Sequence, residues 1–212
     1  GQCNKVVKVG FFDFKVEELV DFPSDYALIV GDSGIKARKS SNAKDQFNHR
    51  VSCYRIGLAL LRRAYPQYQG VLQHLRDFNA RTLGVPESWI YRMLKVLPEQ
   101  ATRMELAALL PETDLGVYWS NHAEPADGLY PIRGVVLYGL AECARSAVYV
   151  EWLRAGDMKA VGHLMNVSHD GDRVMRFDAA GENPQPYRYD SGDAALDALE
   201  AALERGERFA GL

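Results

Sequence analysis

The chain has 212 residues, of which 47% are hydrophobic and 25% charged, and its formal net charge is −3 at pH 7. These values are typical of a globular protein that is long enough to bury a full hydrophobic core. The weak negative charge gives no electrostatic case for binding nucleic acid, and no apolar run reaches the roughly 18 residues that a membrane span needs.

The N-terminal part of the chain contains two predicted strands. The segment from Val6 to Phe14 is rich in β-branched and aromatic residues, which favours a strand. The run from Tyr26 to Val30 has no polar alternation, which favours a buried central strand. Because the polar segment from Gly31 to Lys36 follows it directly, we expect polar groups at a sheet edge, where sites are often built.

The remainder of the chain is predicted to be mainly helical. Apolar residues recur at helical spacing from Phe47 to Leu61, which predicts a helix over about 45–64. Periodicity and proline punctuation predict further helices over 70–79, 87–96, 101–109, 131–155, 158–169 and 193–205. The Gly-, Asp- and Pro-rich residues 170–192 are predicted to form an exposed loop. The predicted fold class is therefore α+β, with N-terminal strands followed by a mainly helical part.

Two strands alone make a marginal sheet, so the sequence leaves two interpretations open. Either further strands lie in the irregular parts, or the chain is a piece of a larger protein. The chain has only three cysteines, far apart in the sequence, and an odd, sparse count favours reduced thiols in the cytoplasm over a disulfide framework. We therefore predict a cytoplasmic protein.

The segment Gly31-Asp32-Ser33-Gly34 imitates the nucleophile motifs of two hydrolase classes. Trypsin-like proteases continue with a second glycine where this chain has Ile35, and the helical pattern opposes their β-barrel. GDSL-type hydrolases place Gly-Asp-Ser after a first strand and use a later Asp-x-x-His pair. The nearest equivalent here begins with Asn166 and ends with His169. An ester hydrolase that uses Ser33 remains an alternative.

Three segments in a fixed order carry a resemblance to a known family. They are Asp25 to Lys36, Phe47-Asn48-His49-Arg50 with Cys53 after it, and Arg154 to His169. Galactokinases have a strand that ends in Asp/Asn-Ser-x-Val/Ile-Lys/Arg, then Tyr-Asn-x-Arg at the start of a helix. Later in their sequence they have Gly-x-Leu-Met-Asn-Glu-Ser-His. The chain therefore resembles the galactokinases, which belong to the GHMP small-molecule kinases.

The resemblance implies a fold and an activity. Residues 1–212 would be a single region, mostly the C-terminal domain of such a kinase, with the strand in residues 1–14 completing the other domain. The parent would transfer the γ-phosphoryl group of MgATP to the anomeric hydroxyl of a hexose in the cytoplasm, so its partners are a sugar and ATP. The Gly/Ser-rich ATP loop and the catalytic-Asp motif are absent from this sequence. We therefore expect the fragment to be inactive and to hold neither ATP nor Mg²⁺ by itself, with no catalytic or metal-binding residue assigned.

One substrate-binding position follows from the family motif. The tyrosine of Tyr-Asn-x-Arg contacts the sugar in galactokinases, and Phe47 stands there in this chain. A phenyl ring keeps the stacking surface but cannot donate a hydrogen bond, which implies a different or looser sugar preference. Core packing of Phe47, and a non-catalytic sugar-sensing relative on the same scaffold, remain alternatives. Adjacency to this position adds five candidate substrate-binding residues: Asp32, Ser33, Lys36, Asn48 and Arg50.

Overall fold

The computed structural model describes residues 2–10, 14–32, 34, 41–172 and 175–207. Within these ranges the chain is α+β, as the sequence predicts, with a two-stranded antiparallel sheet followed by a mainly helical part. The strands are β1 (Lys5–Gly10), β2 (Lys15–Asp21), β3 (Met175–Phe177) and β4 (Pro184–Pro186). The helices are α1 (Ser41–Ala64), α2 (Ala80–Leu83), α3 (Glu87–Leu94), α4 (Arg103–Leu109), α5 (Gly116–Trp119), α6 (Ile132–Ala155), α7 (Met158–Asp172) and α8 (Asp193–Glu204). Across these described residues, no helix is long and apolar enough to cross a membrane.

The N-terminal sheet pairs β1 with β2 in antiparallel register, with Lys5 opposite Asp21 and an irregularity between Lys8 and Val9. Oppositely charged side chains face each other across it: Lys5 pairs with Asp21, and Lys8 lies 3.2 Å from Glu17. Such cross-strand pairs stabilise a two-stranded ribbon modestly. The charged sequence of β2 has little apolar alternation, which explains why hydrophobic pattern did not predict this strand.

The predicted strand over residues 26–30 does not form. Leu28, Ile29 and Val30 are 80%, 89% and 86% exposed, and none of the described strands pairs with them. An unbroken apolar run predicts a buried strand only where neighbouring strands are available to cover it. The described residues supply no such neighbours, so the run lies open to solvent.

The chain divides into two compact units. Unit 1 comprises Gly1–Ala37 and Glu142–Asp170, and unit 2 comprises Arg38–Ala141 and Gly171–Leu212. Helix α6 contributes its first part to unit 2 and its last part to unit 1. The core of unit 1 includes a cluster of buried apolar side chains from Val20, Val150, Leu153 and Val161.

Unit 2 holds the larger core. Its largest fully buried side chains come from α1, α3, α4, α6, α8 and the segments between them, and they include Ile56, Phe78, Leu94, Leu106, Tyr130, Leu137 and Leu196. Six predicted helices are confirmed with shifted ends: α1, α3, α4, α6, α7 and α8. They share long periodic patterns or clear punctuation, which are the most reliable local signals.

The prediction of a helix over residues 70–79 was wrong. A short 3₁₀ turn spans Leu75–Asp77, and a separate helix, α2, begins at Ala80. The Asp77 carboxylate accepts hydrogen bonds from the backbone N–H groups of Gln73 and His74. The Asn79 side chain caps α2 by accepting a hydrogen bond from the Thr82 N–H at 2.9 Å. These local side-chain bonds compete with a continuous helix.

Residues 170–192 contain a short hairpin rather than irregular structure throughout. Strands β3 and β4 pair antiparallel, with Arg176 opposite Gln185. Pro184 and Pro186 stand in β4, and a strand with two prolines is tolerated at an edge but is not predicted from pattern. Helix α8 follows and joins α3 through two ion pairs, Arg92 with Glu200 and Lys95 with Asp197.

Candidate functional site

The first turns of α1 present one aromatic ring to solvent. Phe47 is 68% exposed, although Cys53, Ile56 and Leu61 on the same helix are completely buried. The apolar periodicity of α1 therefore has an exposed first member. An exposed phenyl ring is a flat apolar surface on which the C–H face of a sugar can stack.

The neighbours of Phe47 hold this part of α1 in place. The Asn48 side-chain amide donates a hydrogen bond of 2.6 Å to the carbonyl oxygen of Asn121. The Arg50 guanidinium lies 5.6 Å from the centroid of the Tyr138 ring, within the range of a cation–π interaction. Both contacts lie inside unit 2, so Asn48 and Arg50 support the surface that carries Phe47.

The other predicted site residues belong to a different part of the chain. Asp32 is exposed, and its carboxylate accepts a hydrogen bond of 2.8 Å from the Gly34 N–H. Gly34 has a φ of 69°, a conformation that glycine adopts without strain, so the pair forms a local turn. Ser33 and Lys36 lie outside the described residues. The structure therefore brings together Phe47, Asn48 and Arg50 on α1.

A buried polar cluster lies on the core side of the same helix. Ser52, His122 and Tyr130 are 1%, 7% and 0% exposed. His122 Nδ1 lies 3.0 Å from Asn121 Oδ1 and 3.4 Å from Ser52 Oγ. His122 Nε2 lies 3.0 Å from the Tyr130 hydroxyl. These contacts join α1 to residues 118–130.

The geometry of the cluster determines the direction of each hydrogen bond. The Ser52 hydroxyl donates to the carbonyl oxygen of Tyr118, so Ser52 Oγ can only accept from His122. His122 therefore carries its proton on Nδ1. The Tyr130 oxygen accepts from Arg103 Nε at 2.9 Å, which leaves the Tyr130 hydrogen free to donate to His122 Nε2.

A second histidine packs against this chain of hydrogen bonds. The His49 ring lies 4.7 Å from the Tyr130 ring and 5.5 Å from the His122 ring, measured between centroids. Its Nε2 lies 4.0 Å from Cys53 Sγ. Burial, and then the neighbouring His122, lower the pKa of His49 from 6.5 to about 4. Burial, and then Arg103, lower the pKa of His122 as well.

These shifts decide what the cluster can do chemically. Both imidazoles are neutral at neutral pH, because their protonated forms are disfavoured. Burial raises the pKa of Cys53 to about 12, so its thiol is not a nucleophile near neutral pH. The cluster therefore holds α1 and residues 118–130 together and does not form a nucleophilic pair.

Sequence reasoning missed this cluster. His49, Ser52 and Cys53 share one helix face by their spacing, which is a weak local signal. Their partners His122 and Tyr130 come about 70 residues later in the chain, and no motif links them. The hydrolase alternative stays a prediction, because Ser33 lies outside the described residues. In unit 1, the Ser168 hydroxyl donates to Glu142 Oε2 at 2.9 Å, and His169 is exposed.

Potential metal-ligating side chains do not cluster among the residues that the structure describes. Among them no group of three or more His, Cys, Asp or Glu side chains could hold a metal ion. A surface groove of about 400 Å³ runs along α8 between Tyr189, Leu199 and Arg205, and it includes none of the predicted site residues.

Comparison with known proteins adds no family. The chain matches no protein-family model, no curated protein and no solved structure. The resemblance to galactokinases therefore rests on the sequence motifs and their order alone.

Proposed function

We propose that this chain is part of a galactokinase-like GHMP sugar kinase and that Phe47 contacts the hexose in it. The parent would be an ATP-dependent sugar-1-kinase. The order of the three motifs supports the assignment, and the exposure of the Phe47 ring is the observation that carries the sugar contact. Phenylalanine is among the residue types that are most often fully buried.

The proposed role of these residues is to position the sugar. Phosphoryl transfer depends mainly on the alignment of the acceptor hydroxyl and on stabilisation of charge. The Phe47 ring offers the stacking face, and the Asn48 bond to Asn121 fixes the helix turn that carries it. The groups that bind ATP and Mg²⁺ would come from residues other than those described.

The exposed apolar run fits the same proposal. Leu28, Ile29 and Val30 form a continuous exposed apolar run, unlike the single apolar residues that are scattered over most protein surfaces. The galactokinase motif that the chain resembles has a strand at this position. Under the proposal, strands of the parent would cover this run and make it the central strand that its sequence favours.

We expect Phe47→Tyr to tighten the binding of galactose and Phe47→Ala to remove it. The added hydroxyl supplies one hydrogen bond, worth about 1 kcal/mol or roughly a fivefold change in the dissociation constant. The alanine loses the stacking face. Titration of the full chain with galactose, followed through the backbone amide NMR signals of α1, measures the dissociation constant for the wild type and for both variants.

A matched control separates this contact from general adhesion to exposed aromatic rings. Phe177 in β3 is also exposed, at 55%, and Phe177→Ala should leave the response to galactose unchanged. Equal galactose responses in the wild type and in Phe47→Ala would refute the sugar contact.

We also expect the 212-residue chain to show no hexose-dependent ATP hydrolysis or sugar phosphorylation. Its sequence contains no phosphate-binding loop, and the described residues lack a carboxylate cluster for the metal. A coupled assay for ADP with a panel of hexoses measures this, with an intact galactokinase as the positive control. Turnover above background would contradict the proposal that the groups that bind ATP and Mg²⁺ come from residues other than those described.

A further inference from the structure

The hydrogen-bond chain through His122 has only one arrangement in which every member is satisfied. Arg103 donates to Tyr130, Tyr130 donates to His122 Nε2, and His122 Nδ1 donates to Asn121 and Ser52. One end is fastened to the backbone, because the Ser52 hydroxyl donates to the Tyr118 carbonyl. Buried polar networks of this kind are stable only while they are complete.

A proton on His122 Nε2 removes the acceptor in the middle of the chain. The Tyr130 oxygen would then face two donors, Arg103 and His122, and its own hydrogen would have no acceptor in that place. Tyr130 is completely buried, so water cannot replace the lost partner without a structural change. The imidazolium would also lie near the Arg103 guanidinium.

We propose that His122 is an acid-sensitive latch, whose protonation releases residues 118–130 from α1. The latch comprises the hydrogen-bonded side chains of Ser52, Arg103, Asn121, His122 and Tyr130. Because Asn48 donates to the Asn121 carbonyl, release also frees the helix turn next to Phe47. That consequence for sugar binding rests on the proposed function, whereas the latch itself does not.

The charged groups around the two histidines do not reverse the lowering of their pKa values. Asp45 and Asp127 favour protonation of His122 and His49 respectively, but burial and the surrounding cations outweigh them. The ionisable groups that face the pair come from α1, α4, the segment before α6 and the segment before α8. They are Asp45, Arg50, Cys53, Arg103, Glu124, Asp127, Tyr130 and Arg188.

The sign of the pH effect follows from linkage. While the latch is closed, the pKa of His122 and that of the neighbouring His49 are both lowered, whereas in the open form the pKa of each returns toward 6.5. The open form therefore binds more protons, and the closed form loses stability as the pH falls below 6.5. For His49, whose pKa is about 4 in the closed form, this loss continues down to about that pH.

Trp119 is a natural reporter for the latch. Its ring lies 5.2 Å from the Arg103 guanidinium carbon, and its indole N–H is buried with no hydrogen-bond partner among the described residues. The chain has two other tryptophans, Trp89 on α3 and Trp152 in unit 1, which serve as internal controls. All three indole N–H signals can be followed in one ¹⁵N NMR titration of the full chain.

As the pH falls below about 6.5, we expect the Trp119 signal to shift, together with the loss of the His122 Nδ1–H tautomer in ring-nitrogen spectra. The Trp89 and Trp152 signals and the helical circular dichroism should persist over the same range. A protonated His122 with an unchanged Trp119 signal would overturn the proposal. So would a simultaneous change of all three tryptophans with loss of helix, since that is global unfolding.

Two histidine variants sharpen the test. His122→Gln retains an acceptor for the Tyr130 hydroxyl but cannot take up a proton, so the acid-induced shift of the Trp119 signal should be lost. His163→Gln replaces an exposed histidine on α7 and should leave the transition in place. Persistence of the transition in His122→Gln would overturn the latch, and the wild-type titration alone decides if this variant does not fold.

A galactose titration at neutral pH and at a pH near that of the Trp119 transition separates the two proposals. A response of the α1 amide signals at neutral pH that is lost at the acidic pH supports both of them. Absence of a response at both pH values refutes the sugar contact, while the Trp119 transition still reports the latch.

Discussion

Arg133→Met should lower the free energy of unfolding by about 3–5 kcal/mol, because it leaves several acceptors in unit 2 without their donor. The Arg133 side chain is 7% exposed. It donates to the carbonyl oxygens of Leu97 and Lys95, both at 2.8 Å, and to that of Ser191 at 3.2 Å. It also lies 2.8 Å from an Asp193 carboxylate oxygen.

The three carbonyl groups dominate this cost. The Asp193 and Glu99 side chains are 66% and 56% exposed, so water can hydrate them after the substitution. The carbonyl groups come from the segment after α3 and the segment before α8, and Arg133 at the start of α6 joins the two. Arg133→Lys should lose about half as much, because a single ammonium group cannot reach all of these acceptors.

Urea denaturation followed by circular dichroism measures the loss at constant m value. Arg188→Met is the matched control, since Arg188 is half exposed and binds Asp127 at 2.6 Å. An exposed ion pair of this kind contributes about 1 kcal/mol or less. Equal losses in Arg133→Met and Arg188→Met would contradict the central role of Arg133.

The role of Arg133 illustrates which parts of the fold the sequence predicts. The start of α6 follows from Pro131 and the apolar pattern after it, which are local signals. The acceptors of Arg133 lie 36 residues before it and 58 residues after it, so no local pattern identifies them. The positions of six of the eight described helices were therefore predictable, and the contacts that join the helices were not.

Strands depend on partners more than helices do, and the N-terminal region shows the consequence. The apolar run that ends at Val30 has the composition of a central strand but forms none in the described structure. The charged segment Lys15–Asp21 forms β2, because it lies within reach of β1 and can pair its backbone there. By composition alone the run that ends at Val30 is the better strand candidate, but only Lys15–Asp21 forms a strand.

The candidate site also combines residues that the sequence predicts with residues that it does not. The family motif predicted Phe47, and adjacency to it added Asn48 and Arg50; the structure places all three on one helix with Phe47 exposed. The His122 latch lies next to them and has no sequence signature, because its members meet only through tertiary folding. A motif can therefore select neighbouring positions on one helix, whereas residues that meet only through tertiary folding leave no such local signal.

The close approach of α1 to α6 gives the second large expected effect. A Cβ atom added at Gly57 would overlap Cγ2 of Val136, which is itself completely buried. At Gly139 an added Cβ would lie 2.5 Å from Tyr54 Cε1. Glycine in mid-helix ordinarily costs about 1 kcal/mol relative to alanine. At Gly57 and Gly139 the close packing of α1 against α6 requires it in spite of that cost.

We expect Gly57→Ala to lower the free energy of unfolding by about 2–3 kcal/mol, because the stiff, β-branched Val136 cannot rotate away within a packed core. Gly162→Ala is the matched control. Gly162 lies inside α7 with no atom within 4 Å of an added Cβ, so alanine there should stabilise the protein by about 0.5–1 kcal/mol. Opposite signs for two identical substitutions in helices would identify packing as the cause.

A double variant tests the named contact. Val136→Ala alone creates a small cavity and should cost about 1–2 kcal/mol. Combined with Gly57→Ala it also removes the overlapping methyl group, so the double variant should lose clearly less than the sum of the two single losses. Additive losses, or a Gly57→Ala variant as stable as the wild type in urea denaturation, would mean that α1 and α6 are not in this close contact.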